Sequence, residues 1–228
     1  MDQDNTGISS TGLMSMAASP LHSFKPLSNI CESFCGIHPY CGDLKRQVVA
    51  YHYCSMLDED RRQCLIYDDN KPTAKLIGVE FMISEKLFKE LPEEEKKYWH
   101  SHKYEVESGM LVMNSKSMVP NKVATMGENE QLKAIINTYG KTWQFWPVDD
   151  NHKCSSNIPY GPPQLLMAFT KDGQVDPKLI QERDENMGVD SNQRRKDREG
   201  VLVGNTPLEG ADHWEHSAPW QIKIEQQK

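Results

Sequence analysis

Three β-rich runs in close succession restrict this chain more than any other feature: "RQVVAYHYCSML" (46–57), "RQCLIYD" (62–68) and "AKLIGVEFMI" (74–83). Each has strand length and is dense in branched and aromatic residues, which suit a pleated, half-buried surface. Only the polar "DEDR" parts the first two, so a hairpin or a short connection is expected there. Gly78 inside the third run suggests a bulge or a close backbone approach.

Beyond Ile83 the apolar period lengthens. "SEKLFKEL" (84–91) opens on Ser84, a suitable N-cap, and places Leu87, Phe88 and Leu91 on one helical face. A second helix is expected to open at Pro92, with Glu93, Glu94 and Glu95 against its positive end, and to run to about residues 100–102. "YEVESGMLV" (104–112) reads as a strand with a bulge at Gly109. "GENEQLKAIINTYGK" (127–141) reads as an amphipathic helix stopped by Gly140. "KTWQFWPV" (141–148) reads as an aromatic strand, and "YGPPQLLMAFT" (160–170) as a rigid turn followed by a buried strand. The last helix is bounded by Asp176 as cap, Pro177 as first residue and Gly188 as stop. Strand runs with interspersed helices, without strict βαβ alternation, predict an α+β fold: a mostly antiparallel sheet with several packed helices in a single domain. We assign 1–40 to a mobile N-terminal tail, 41–190 to the core domain and 191–228 to a charged C-terminal extension.

Composition limits what such a domain can do. Hydrophobic residues are 37% of the 228 and mean hydropathy is −0.69, so part of the chain must stay outside any core. Runs such as "LLMAF" (165–169) are far too short to span a bilayer. The start, "MDQDNTGISS", has neither the basic nor the apolar region of a secretory signal. Net charge is −7, and the one basic cluster, "RRKDR" (194–198), is interleaved with acid and reads as a solvated helix face, so nucleic-acid binding is not expected. Without a secretion signal, the six cysteines are expected reduced, with Cys54 and Cys64 packed as small hydrophobes. Cys31, Cys35 and Cys41 cluster near His38 at a spacing unlike the usual zinc sites.

Catalytic templates are missing: there is no G-x-S-x-G, H-E-x-x-H, P-loop or G-x-G-x-x-G. Two constellations remain. In "WHSHKYEV" (99–106), His100 and His102 would share one face of a strand and could ligate a divalent metal, with His52 and Cys54, also two residues apart, supplying the rest and Glu105 or Glu107 a carboxylate. The simpler reading makes His100 and His102 the end of the helix that opens at Pro92, where histidine complements the negative pole of the dipole; that reading leads. Trp143, Trp146 and Tyr160 could line a pocket for a small ligand, although strand tryptophans more often belong to the core. "HWEH" (213–216) offers two further histidines, in a tail with little to hold it rigid.

Taken together, "RQVVAYHYCSMLDEDRRQCLIYD", "LIGVEFMISEKLFKELPEEEKKYWHSHKYEVESGMLV", "TYGKTWQFWPVD" and "YGPPQLLMAFTKDGQVDPKLIQERDENMGV" resemble the oil body-associated protein family, from about Arg46 to Val189. The resemblance implies a cytoplasmic, non-enzymatic protein on the lipid droplet (oil body) surface, contributing to droplet size and stability, with the droplet surface or its coat proteins as partners and no established cofactor. Members of the family often carry histidine where Tyr51 and Gln144 stand here, and the loops "NSKSMVPNKVATMG" and "DDNHKCSSNIP" look longer than usual. Without an apolar hairpin, attachment is expected to be peripheral and reversible by carbonate or salt.

Overall fold

The computed structural model describes residues 10–115 and 121–222. Residues 1–9 of the expected tail, 116–120 of the long loop and 223–225 of the terminal "HWEHSAPWQIKIE" lie outside them. The chain divides into two units, 1–30 and 31–228. The first holds α1 (Ser10–Ala18), a single 3-10 turn (Ser19–Leu21) and α2 (Lys25–Ser28). A segment expected to lack regular structure is therefore partly helical. Ala, Met and Leu favour helix, and Pro20 and Pro26 stand in first turns, where a missing N–H costs nothing.

The second unit is built on a sheet whose described pairings are all antiparallel. Its main strands are β1 (Glu32–Tyr40), β2 (Asp43–Asp58), β3 (Arg61–Tyr67) and β4 (Leu76–Ser84). Then come α3 (Glu85–Glu90), α4 (Glu93–Lys96), the two-residue β5 (His100–Ser101), α5 (Lys103–Glu107), β6 (Val112–Met113) and α6 (Asn121–Lys133). The chain continues through β7 (Thr138–Gln144), β8 (Gln164–Leu166), α7 (Pro177–Met187) and α8 (Ser191–Arg198). Strands follow the order β2-β3-β4-β7-β8-β1, and β1 pairs again with β2, closing the sheet into a barrel. β6 adds to β1, and β5 to β7.

The expected hairpin holds: β2 and β3 pair from Asp58↔Arg61 outward. β1, placed by composition in the tail, is instead paired along its whole length with β2. Its seven consecutive buried residues, Phe34 to Tyr40, belong to the barrel wall.

Several local expectations give way to tertiary pairing. The helix at Pro92 ends at Lys96, because Trp99 is buried against Phe88, Ile83 and Tyr139 and the next two residues pair with β7. The stretch 104–112 opens as helix rather than strand and reaches a strand only at Val112: α5 is followed by a left-handed turn at Gly109 (φ +82°), where a Cβ would sit 2.2 Å from the Ser191 carbonyl oxygen. α6 ends seven residues before Gly140, which lies in β7 rather than stopping a helix. By contrast, α3 and α7 form as expected, with Ser84 accepting from Leu87 N–H, Asp176 from Lys178 N–H, and Gly188 at φ 65°.

Two further corrections concern side chains. Cys54 and Cys64 are joined by a disulfide, because the β2–β3 register sets them directly opposite with Cα atoms 4.0 Å apart. Arg198 of "RRKDR" is buried, not solvated: it donates to the carbonyls of Val106 (2.7 Å) and Leu111 (2.9 Å) and pairs with Glu128 at 3.2 Å. The described residues beyond 190 dock on the rest of their unit. Gln221 bonds to Leu165 and Cys41, and Asp212 to Ser101.

Candidate metal centre inside the barrel

The alternation of a strand puts every second residue on the inner face. On β1 these are Phe34 and His38, on β2 His52 and Cys54, and on β4 Glu80 and Met82; all six line one small internal cavity, closed by His102 and Glu105 of the β5–α5 segment. Its free volume is about 10 Å³, room for one water-sized sphere. The cavity gathers ionisable side chains that the sequence scatters over about seventy positions, and all of them are buried.

Glu80 is the hub. Its Oε1 lies 3.1 Å from His100 Nε2 and 3.5 Å from His102 Nε2, and its Oε2 lies 3.1 Å from His52 Nε2. Thr142 Oγ1 donates to Oε1 at 2.9 Å. One ligand atom each from Glu80, His100 and His102 falls within 4.8 Å of the others. His38 stands beside them, with its ring centroid 5.3 Å from that of His52 and 5.4 Å from that of His100.

Backbone carbonyls fix the imidazole tautomers. Nδ1 of His38 faces Met167 O at 3.0 Å, Nδ1 of His52 faces Ala50 O at 3.1 Å, and Nδ1 of His102 faces Thr138 O at 3.1 Å. A carbonyl oxygen only accepts, so in each neutral ring the proton sits on Nδ1 and the lone pair on Nε2 is left facing the cavity. Nε2 of His38 and His52 and both ring nitrogens of His100 make no aligned hydrogen bond. An imidazole lone pair set 3.1–3.5 Å from a carboxylate oxygen is an acceptor facing an acceptor. A proton or a cation between them resolves it.

The two carboxyls are driven in opposite directions. Burial alone would raise Glu80, but His100, His102 and His52 around it hold it well below the usual carboxylate range. Burial, reinforced by the charge of Glu80, pushes Glu105 well above that range. His38 is pushed down to about 3 by burial and by His52 and His100, and burial also lowers His100. The result is one carboxylate enclosed by imidazoles, a donor set suited to a first-row divalent transition metal.

The convergence of His52, His100 and His102 is therefore real, while the helix-end reading of the latter two fails. His100 lies in β5, paired with Gly140, and His102 precedes the first residue of α5. Of the acids, Glu105 is a carboxylate the sequence reading offers and Glu107 the other; Glu80 is not singled out there, although a lone acid inside the apolar run "LIGVEFMI" is an unusual buried charge. Tyr51 follows the opposite face of β2, packing with Cys35 and Val112, and Gln144 bonds to the Trp146 carbonyl; neither belongs to the cluster. The aromatic trio is not brought together: Trp143 packs with Cys41, Leu165 and Met167, Trp146 packs with a separate cluster around Val148 and Cys154, and Tyr160 is exposed.

A closed antiparallel barrel around a buried histidine–glutamate cluster thus defines the class of protein by its fold and site. A family model described as "Protein of unknown function (DUF1264)" matches residues 24–202. The chain is 42% identical over 201 residues to Oil body-associated protein 1B of Arabidopsis thaliana, covering 87% of this chain and 79% of that protein. It is 40% identical over 204 residues to Oil body-associated protein 1A of Zea mays, covering 88% and 81%. Against Oil body-associated protein 2A of Arabidopsis thaliana the identity is 34% over 208 residues, covering 90% and 80%. The chain belongs to the oil body-associated protein family. No solved structure matches it.

Proposed function

We propose that this protein works at the surface of oil bodies, peripherally bound, and contributes there to their size and stability. The observation that carries the reading is the likeness, over most of the chain, to relatives named for oil body association. Two features of the chain agree with it. Among the described residues no helix is long and apolar enough to cross a membrane, so attachment comes from a surface. The internal cavity has room for one water and none for an acyl chain, which agrees with a role at the droplet surface.

We assign the attachment surface to the N-terminal unit. Leu13, Met14, Met16, Leu21, Phe24 and Leu27 are all exposed there, and no acidic residue occurs between Ser10 and Cys31 in a chain of net charge −7. Large apolar side chains left in water mark interaction surfaces, and a segment without acid suits a phospholipid monolayer.

Flotation with isolated oil bodies tests the reading. The full chain is expected to float with them, to be released by alkaline carbonate, and to lose most of its flotation when Leu21, Phe24 and Leu27 are changed to Asp. Failure to float at all overturns oil body association; retention after carbonate overturns peripheral attachment.

A further inference from the structure

We propose that the barrel interior is a mononuclear site for a divalent first-row transition metal, ligated by Glu80, His100 and His102, with His52 as the residue that positions Glu80 through its second oxygen. The inference stands on geometry independent of the oil body reading.

Four observations converge on it. The first is spacing: donors at about 2.1 Å from one ion lie about 3.0–3.4 Å apart. The Nε2 atoms of His100 and His102 stand 3.1 and 3.5 Å from Glu80 Oε1. The second is direction. The short contact at His100 lacks hydrogen-bond alignment, which is what two side chains aimed at a common point between them produce. The third is the outer support. His102 gives its Nδ1 proton toward the Thr138 carbonyl, and Thr138 Oγ1, whose own proton goes to Ile135 O, accepts from it as well at 2.9 Å. Metal-ligating histidines are oriented in this way. The fourth is space: Gly140 has no side chain where a Cβ would lie 2.2 Å from Glu80 Oε1 and 2.6 Å from His100 Nε2.

The donor set also selects the ion. Two imidazoles and one carboxylate favour Zn(II), Fe(II), Mn(II) or Co(II) over Ca(II) or Mg(II), which take mostly oxygen ligands. Three protein donors leave coordination positions open, and two of the three, Glu80 and His102, also line the one-water cavity beside Glu105 and His38. His52 meets Oε2 rather than Oε1, so it differs in role from the other two histidines. It packs against Oε2 while Oε1 faces His100 and His102.

Because the site is sealed, the metal should enter while the chain folds. The full chain is unfolded in chelator and refolded with Zn(II), Mn(II), Co(II) or, without oxygen, Fe(II), each alone; bound metal is then counted after desalting. One equivalent per chain is expected for at least one ion, with a rise in thermal midpoint. H100Q and H102Q should lose it. H52Q should retain it with affinity lowered about 10–100-fold, the scale of an outer-shell partner. A variant with His213 and His216 both changed to Ala should load like the parent, which separates the barrel from the "HWEH" stretch. Should H100Q and H102Q fail to fold, X-ray absorption on the loaded parent chain decides, since it must show nitrogen and oxygen neighbours with imidazole scattering and no sulfur. No stoichiometric uptake of any of the four ions overturns the proposal. So does uptake that survives H100Q and H102Q, or a sulfur-ligated ion.

Discussion

Glu80 and His100 meet at 3.1 Å although their strands are not neighbours: β4 and β5 both pair with β7, and Gly140 of β7 stands opposite Met82 on one side and His100 on the other. The glycine is the gap through which the carboxylate and the imidazole touch.

Substituting that gap is the most direct test of the packing. G140A forces a methyl to within 2.2 Å of Glu80 Oε1. Overpacking of a tight core costs about 1–3 kcal/mol. Urea denaturation should show a loss in that range, and metal uptake should fall with it. An unchanged midpoint would contradict the close approach.

The two histidines of "WHSHKYEV" should behave as buried polar groups rather than as helix ends. A dipole contact at a helix terminus is worth about 0.3–1 kcal/mol. H100A instead removes a fully buried ring from a carboxylate that stays enclosed, at about 1–3 kcal/mol for the group left unpaired. Thermal unfolding of H100A against H152A, whose ring is partly exposed, separates the two scales.

The disulfide gives a count and an energy. Alkylation of the denatured chain without reductant should label four thiols, Cys31, Cys35, Cys41 and Cys154, and six after reduction. Replacing Cys54 and Cys64 together by Ser should cost about 2–4 kcal/mol in denaturant. Labelling of six thiols before reduction would remove the bridge from the account.

Within "RRKDR", Arg198 and Lys196 should part company. R198M strips Glu128 of a buried partner, takes the side-chain donor from the Leu111 carbonyl, and leaves the Val106 carbonyl with only the Gly109 N–H. Breaking a buried ion pair costs about 3–5 kcal/mol. K196M on the exposed side should stay within about 0.5 kcal/mol. Equal effects from both would return the helix to solvent.

What the sequence determined by itself was local. The β2–β3 hairpin, the capped α3 and α7 and the α+β class follow from residue type and short-range spacing, because propensity, caps and turns act over a few residues. The triad of histidines was legible as residues that could ligate, since His52, His100 and His102 are chemically suited to it. Their meeting was not legible. It depends on the barrel closing β1 onto β2, on β5 adding to β7, and on the register that sets Glu80 opposite Thr142. The same non-local pairing turned 32–40 from tail into wall, and put Cys54 across from Cys64. It also drew Arg198 into the interior. Register and closure are set by the sum of many weak contacts between distant segments, and a linear pattern holds no record of which strand lies beside which. Periodicity can say which face a residue occupies; only the closed sheet decides what that face meets.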